Sequence, residues 1–436
     1  MVLASTFTPI PQISSHELLI FLLQTGLLLA TALVLGRLAA KLVLPAVIGE
    51  LLAGVLLGPT VFGHAAPGVW RWLFPAATAQ AHMVDGLGQI GLLLLVGITG
   101  AQLDLAYLRR SGATAAKVSI SGLLIPLGAG IAVGFALPAV LLSTTTTRPT
   151  FAVFLGVAMC VSALPVIAKT LLDMKMMHRD VGQLTLTAGM VDDAVGWFLL
   201  SVVSAMAAGA VHGWRVALTV GELVGFVAVA IVLGRPLVRW LFQLTNRTTD
   251  SGPAVTTAVV IIMAGGTITQ SLGLEAAFGA FVAGVLIGAP GVIAPNRLAA
   301  LRSFVLWVGA PIFLATAGLR MDLTVLAHRT VLISALVVLT VAIAGKFAGA
   351  YLGGRLSRLS NRECLALGAG MNARGVIEVV VALTGLRLGV LTTTTYTIIV
   401  LVAVVTSMIA PPILRRAMAE ITPTTTELLR ERAQAM

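Results

Sequence analysis

Charged residues are scarce in this sequence. Asp, Glu, Lys and Arg make up 10% of its 436 residues and hydrophobic residues 58%, with a mean hydropathy of +1.02. In a soluble domain the charged share is about 25%. Water-soluble folding cannot hide so much apolar surface. The composition therefore excludes an ordinary soluble domain and predicts a chain whose solvent is the lipid bilayer.

Cysteine and histidine are scarce too. The two cysteines, Cys160 and Cys364, lie in apolar stretches, and the six histidines show no metal-ligand spacing. This pattern excludes a disulfide framework and offers no zinc site. No GxxxxGK[ST] loop or strand-linked GxGxxG motif is present, so we expect no ATP-driven pumping, no dinucleotide and no other cofactor. No nucleophile lies beside a base, and we expect that the protein is not an enzyme.

Positive charge exceeds negative charge, with a formal net charge of +11. The basic residues are scattered through short loops and form no patch or stripe, which argues against nucleic acid as a partner. The first residues carry no positive segment, so we expect no cleaved signal peptide. Lys and Arg are concentrated in the loops after odd-numbered spans. This distribution predicts an inner (cell) membrane protein with its amino terminus outside and its carboxyl terminus in the cytoplasm.

Runs of about 20 apolar residues predict about thirteen transmembrane helices in an all-α membrane protein. They lie near 17–36, 43–58, 84–103, 113–141, 151–172, 181–209, 215–234, 254–271, 274–290, 302–319, 327–353, 363–388 and 393–414. The second and ninth are short and rich in glycine. The stretch 64–81, HAAPGVWRWLFPAATAQA, is polar and aromatic, and we interpret it as an interfacial loop.

Two sequence echoes indicate an internal repeat. LAGVLLGP at 52–59 resembles VAGVLIGAP at 282–290, and GITGAQLDL at 97–105 resembles ATAGLRMDL at 315–323. The echoes pair the second span with the ninth and the third with the tenth, a shift by an odd number that makes the repeat inverted. We therefore predict two inverted six-helix repeats with crossed broken helices, a transporter architecture. The predicted segments are an extracellular N-terminus at 1–16, repeats at 17–209 and 251–416, a linker helix at 210–250 and a cytoplasmic tail at 417–436.

Two of the predicted spans contain residues that interrupt helices. The fifth carries Ser162 and Pro165, and a proline within a helix leaves a carbonyl near position 161 without its donor. The twelfth carries several glycines and Asn372 in its first half. Unwound backbone is tolerated at mid-membrane only where it lines protein or a wet cavity. We expect these two breaks to meet at the functional site.

Asp192 and Asp193 are the most informative residues, because each charge at mid-bilayer costs about 2.5–3.5 kcal/mol on insertion scales. As neighbours on a helix they point about 100° apart, so one can face a cation across the core while the other faces a wet cavity. Carboxylate oxygens that bind either a proton or a cation, never both, supply the chemistry of an antiporter. Lys346, deep in the eleventh span, is the candidate charge partner. Arg374 and Glu378 are spaced to form a structural ion pair.

The motifs that carry a family resemblance run almost the length of the predicted membrane part. They are LPAVIGELLAGVLLGPTVFG (44–63), GLGQIGLLLLVGITGAQLDL (86–105), MVDDAVGW (190–197), EAAFGAFVAGVLIG (275–288), APIFLATAGLRMDL (310–323), AGKFAGA (344–350) and MNARGVIEVVVALTGLRLGVL (371–391). Together they resemble the monovalent cation:proton antiporter family, and within it the second branch of Kef-type, NapA-type and CHX proteins. The resemblance implies an NhaA- and NapA-like fold, a homodimer embedded in membrane lipid, and a core that moves relative to a dimerisation panel.

The resemblance also implies roles for individual residues. Asp193 matches the aspartate that binds the ion and the proton, Asp192 the variable position before it, and Lys346 the lysine that pairs with Asp192. The SALPV crossover departs from the family, since many members have a threonine there and only Ser162 offers a hydroxyl. Kef-type proteins carry a large nucleotide-binding domain, which we do not expect here because only about 20 residues follow the last predicted span.

These observations predict a secondary transporter that exchanges Na⁺ or K⁺ for protons by alternating access, with no structural metal. The alternative that the residues leave open is a proton-coupled exporter of an organic ionophore or drug on the same scaffold. A channel is disfavoured, because channel filters are built from rings of carbonyls or charges.

Overall fold

The computed structural model describes residues 13–42, 44–75, 78–103, 112–174, 176–207, 213–245, 250–419, 421–422, 424 and 427. Several sequence predictions fall outside these residues. They concern most of the amino-terminal segment 1–16, most of the tail 417–436 and the end of the echo 97–105, which includes Asp104.

The described chain is helical, apart from one isolated antiparallel bridge between Leu142 and Leu391. The α-helices are α1 (Ser15–Lys41), α2 (Ala46–Leu57), α3 (Phe62–Ala65), α4 (Pro67–Leu73), α5 (Thr78–Ala101), α6 (Gly112–Ala136), α7 (Arg148–Cys160), α8 (Leu164–Asp173), α9 (Asp180–Ala207), α10 (Gly213–Val229), α11 (Arg235–Thr245), α12 (Gly252–Ser271), α13 (Ala276–Ile287), α14 (Ala299–Phe304), α15 (Ala310–Gly318), α16 (Arg329–Leu356), α17 (Asn361–Met371), α18 (Val376–Arg387) and α19 (Thr393–Ala419).

Ten helical stretches within the described ranges are long and apolar enough to cross a membrane, or eleven if the bent pair of α17 and α18 is one span. This confirms an all-helical membrane protein. The number is lower than the sequence predicted for two reasons. The fifth predicted span is divided by a break into α7 and α8, and the ninth is α13, a helix of 12 residues.

One predicted loop is helical in the structure, and one predicted span continues further than expected. The stretch 64–81 contains α4, which begins at Pro67, and the first turn of α5. Proline fits the first turn of a helix, where its missing N–H is not needed. The seventh span does not end at 234: a π-helical turn, Ala230–Gly234, continues directly into α11. Arg235 and Arg239 therefore lie on a helix and not in a loop.

Glycines let two pairs of helices approach backbone to backbone. A Cβ atom on Gly54 of α2 would lie 1.9 Å from the carbonyl oxygen of Ala315 in α15, and one on Gly284 of α13 would lie 2.0 Å from the carbonyl oxygen of Gly97 in α5. Real Cβ atoms do not come so close to a carbonyl. Both glycines and both of their neighbours belong to the echoed segments. The first crossing joins 52–59 to 315–323, and the second joins 282–290 to 97–105.

The end of the described chain is attached to the loop between α8 and α9. Arg179 Nε lies 3.2 Å from Glu427 Oε2, and the Asp180 amide donates to Glu427 Oε1 at 2.7 Å. Burial alone would raise the pKa of Glu427, but hydrogen bonds from the Asp180 and Thr424 amides, together with Arg179, hold this pKa below its ordinary value. Glu427 is therefore tied to the segment that leads into the helix of Asp192.

Candidate functional site

Two interrupted helices meet where the sequence predicted breaks. The chain leaves α7 at Cys160 and enters α8 at Leu164, while α17 and α18 are bent by 46° across their own interruption. The Ala163 amide donates to the Ala373 carbonyl at 3.2 Å, and the Ser162 hydroxyl lies 2.9 Å from the Met371 carbonyl oxygen. The two interruptions are therefore hydrogen-bonded to each other inside the protein.

Cationic side chains satisfy the carbonyl end of α7. The last four carbonyl groups of an α-helix have no partner within the helix and carry partial negative charge. Arg374 donates to Ala158 at 3.1 Å and to Met159 at 2.6 Å, and Lys346 Nζ donates to Cys160 at 2.6 Å. Arg374 and Lys346 are fully buried. Two charges that are costly in a membrane thereby stabilise a helix end that would be costly without them.

Asp192 is held by three side chains. Lys346 Nζ lies 2.6 Å from Asp192 Oδ2, and the pair is completely buried. The Ser119 hydroxyl donates to Oδ1 at 2.7 Å, and the Ser162 hydroxyl lies 3.0 Å from Oδ2. Lys346 also donates to the Gly122 carbonyl at 2.9 Å. Both oxygens of this carboxylate are therefore occupied by donors.

Asp193 is much less fully bonded, although it is equally buried. Its Oδ1 accepts one hydrogen bond, from the Leu164 amide at 3.2 Å, at the first turn of α8. Its Oδ2 has no hydrogen-bond partner among the described residues. A buried ionised oxygen without a partner is strongly unfavourable, so this oxygen requires a proton or a cation. Within the described ranges no three His, Cys, Asp or Glu residues are grouped around a metal position.

Arg374 and Glu378 contact each other across the start of α18. Arg374 Nη1 lies 3.3 Å from Glu378 Oε1, and the Ser407 hydroxyl donates to the Arg374 carbonyl. Asn372 is fully buried at the end of α17, and neither polar atom of its amide has a hydrogen-bond partner in the described structure. Asn372 thus places an amide oxygen and an amide nitrogen, both free, at the crossover.

Two predicted site residues have a different structural setting from the one expected. Pro165 does not interrupt a continuous helix: the break covers 161–163, and Pro165 lies in the first turn of α8, where proline is favoured. Ser162 makes its side-chain hydrogen bonds to Asp192 and to the Met371 carbonyl, and none to Asp193.

The sequence reasoning missed several groups that contact the aspartates. Ser119 is one of two serines in the segment SIS of α6, and nothing in the sequence distinguishes it from Ser121, which bonds to backbone carbonyls. The Gly122 and Cys160 carbonyls and the Leu164 amide are backbone groups, which every residue carries. Only the predicted break in the fifth span indicated that free backbone groups would lie near Asp193.

The chain belongs to a family of membrane transporters. Residues 27–420 match the transmembrane sodium/hydrogen exchanger family, and the chain is a member of it. It is 31% identical over 406 residues to Cation/H(+) antiporter 20 of Arabidopsis thaliana, covering 90% of this chain and 48% of that protein. It is 29% identical over 404 residues to the Na(+)/H(+) antiporter NhaS4 of Synechocystis, covering 92% and 97%. The chain therefore spans about half the length of the plant relatives it matches.

A solved structure shares the fold. The sodium proton antiporter MjNhaP1 of Methanocaldococcus jannaschii aligns with a TM-score of 0.62 over 95% of this chain and 99% of that one, at 15% identity. The family match confirms the resemblance read from the motifs and the expectation that the protein is a transporter and not an enzyme. It also confirms an integral membrane protein with multiple spans.

Proposed function

We propose that this protein exchanges Na⁺ or K⁺ for protons across a membrane by alternating access, with Asp193 as the carrier. One observation carries the proposal: Asp193 is completely buried within a membrane-spanning helix, and one of its carboxylate oxygens has no hydrogen-bond partner among the described residues. Such an oxygen can be neutralised by a proton or by a monovalent cation, and the two compete for it. The names of relatives, including a Na(+)/H(+) antiporter and a K(+)/H(+) antiporter, are consistent with this competition.

The two aspartates have different roles in this proposal. Asp192 is bonded to Lys346, Ser119 and Ser162 and acts as a positioning residue that holds the crossover together. Asp193 binds the transported species, aided by the amide at the start of α8, where the helix dipole is positive. The free amide of Asn372 is a further candidate oxygen for the cation. Arg374 and Glu378 support the second broken helix as a structural pair.

The proposed cycle follows from competition at Asp193. A proton arriving from outside displaces the cation there, and the protonated carboxyl crosses with the moving core. Loss of that proton to the cytoplasm restores the carboxylate, which then takes up the next cation. The direction of net transport is set by the gradients, because the same oxygen serves both substrates.

The architecture that we propose for this cycle has about thirteen spans in two inverted repeats, at 17–209 and 251–416, joined by a linker helix. The glycine crossings support it. Gly54 lies against Ala315, and Gly284 lies against Gly97. In the echoed segments Gly54 corresponds to Gly284, and Ala315 corresponds to Gly97. A repeated sequence that makes a repeated backbone contact is expected of two copies of one unit and has no simple local explanation.

We further propose a homodimer in the inner membrane, with the amino terminus outside and the carboxyl terminus in the cytoplasm. The positive-inside distribution of Lys and Arg supports this orientation. Its test is labelling of single cysteines placed in the loops after α1 and α12, which should react from opposite sides of sealed vesicles.

The experiment that tests the function is dissipation of a pH gradient in proteoliposomes with Na⁺, K⁺, Li⁺ or choline, with and without a membrane potential. We expect Na⁺ or K⁺ to support it, and Asp193→Asn to abolish it. Glu222→Gln is the matched control, since it removes an exposed carboxylate of α10. Full activity of Asp193→Asn would refute the carrier assignment. Dissipation that needs an organic substrate and no alkali cation would favour the organic exporter instead.

A further inference from the structure

An apolar cavity lies beside the helix of the two aspartates. Its volume is about 620 Å³, and it lies between α9, α10 and α13. Ala194 and Phe198 of α9 form one wall, and Phe281 of α13 contributes to another. Of the described lining residues, every one except Arg235 is apolar. A hydrated cation gains nothing from such walls, whereas a hydrocarbon chain does.

A second cleft shares Arg235 with this cavity. It has a volume of about 410 Å³ and is lined by Arg235, Pro236, Arg239, Trp240 and Gln243. Trp240 is 54% exposed, and tryptophan is favoured at the depth of lipid headgroups. The two spaces therefore form an apolar chamber with a basic, aromatic cleft beside it.

Among the residues that the structure describes, the two arginines have no negative partner. Within the described part of the chain neither Arg235 nor Arg239 forms an ion pair, and no Asp or Glu lines either space. Arg239 donates to the Pro290 carbonyl at 3.3 Å. Two uncompensated cations on one turn of a membrane helix are complementary to an anion, and basic pockets between membrane helices suit anionic lipid headgroups.

We propose that an anionic phospholipid binds here, with its phosphate at Arg235 and Arg239 and one acyl chain in the chamber. The bilayer supplies both parts of this ligand at high local concentration. The headgroup phosphate offsets part of the positive charge of the two arginines, and the chain fills a space that water would occupy only at a cost.

The consequence for transport rests on the proposed function. Ala194, next to the carrier Asp193, lines the chamber together with residues of α13. A bound acyl chain would separate α9 from α13 and resist movement of one against the other. Anionic lipid should therefore slow exchange. Its binding to the purified protein can be measured without any transport, so lipid binding and the proposed function are tested separately.

The test is native mass spectrometry of the full-length protein in detergent with added phosphatidylglycerol, phosphatidylethanolamine or inorganic phosphate. We expect selective retention of phosphatidylglycerol, and about 30-fold weaker binding in Arg235→Gln/Arg239→Gln, because each arginine near an anionic headgroup contributes about five-fold. Val227→Trp, which fills the chamber from α10, should also weaken binding. Arg302→Gln, which removes an exposed arginine of α14 outside both spaces, is the matched control and should bind normally.

Four results would overturn the proposal. Equal binding of phosphatidylethanolamine would show that the arginines do not select the headgroup. Normal phosphatidylglycerol binding by the double variant would show that the lipid does not bind at these arginines. Inorganic phosphate binding as tightly as the lipid would show that the acyl chain does not contribute to binding. Variants that change the oligomeric state without changing lipid binding would assign this surface to contact between copies of the protein. Loss of transport by an intact lipid binder would refute only the proposed function.

Discussion

The charge of Lys346 should be essential to the folded state, because three acceptors depend on it. Its Nζ lies 2.6 Å from Asp192 Oδ2 and donates to the carbonyls of Gly122 and Cys160, with no exposure of either charged side chain. Removing one partner of a buried ion pair costs about 3–5 kcal/mol, since the other charge stays buried without compensation. We expect Lys346→Gln to lose about this much stability, and Lys117→Gln, at an exposed lysine of α6, to lose less than about 0.5 kcal/mol.

A double-mutant cycle isolates the pair. Asp192→Asn/Lys346→Gln removes both charges and leaves two neutral groups of similar shape, so we expect it to be more stable than the sum of the single losses predicts. The measurement is thermal unfolding of the detergent-solubilised protein at neutral pH. Unfolding is monitored as loss of the monodisperse peak in gel filtration. If Lys346→Gln unfolds at the same temperature as Lys117→Gln, or if the cycle is strictly additive, the pair does not stabilise the crossover.

Three further perturbations test other parts of the structure. Ser119→Ala leaves Asp192 Oδ1 without its hydroxyl donor and should cost about 1–3 kcal/mol, while Ser119→Thr keeps the hydroxyl; the thermal assay distinguishes them. Gly54→Ala should be severely destabilising because its Cβ meets a carbonyl, whereas Gly26→Ala meets nothing within 4 Å; equal expression of folded protein would contradict the close crossing. Because the pKa of Glu427 is lowered in the folded state, the tail attachment should hold at neutral pH and be lost as the pH falls through that lowered pKa. Glu427→Gln should make the tail sensitive to protease at every pH, and a tail protected equally in both proteins would exclude the attachment.

The sequence indicates the charged residues of the site because charge in an apolar run is conspicuous. Asp192, Asp193 and Lys346 could each be identified from their place within apolar runs, and the cost of burying them predicted that they would be near partners. Ser119 could not be identified in this way, because hydroxyls are common in membrane helices and many bond to the backbone of their own helix. Its contact with Asp192 depends on how α6 packs against α9, which no local pattern encodes.

The helix boundaries were harder to predict than the helices. A window of apolar residues continues through Val161, Ser162 and Ala163 although the helix stops there, because hydropathy does not register whether a backbone group has a helical partner. The sequence predicts an interruption at Pro165, yet proline marks the beginning of a helix as readily as an interruption. The same limitation ended the seventh predicted span at 234, since a helix that passes beyond the apolar core loses its hydropathy signal at once.

Lys346 and Arg374 bond to the end of α7 through main-chain carbonyls of Ala158, Met159 and Cys160. Because a carbonyl is present whatever the side chain, substitutions at these three positions can accumulate without removing a single acceptor, provided that the new side chains fit the space. Divergent copies of this site should therefore differ freely in the apolar residues before the break while keeping the lysine and the arginine. A search for distant versions of this site should look for two buried cations that face a helix end, and not for a sequence motif within that helix.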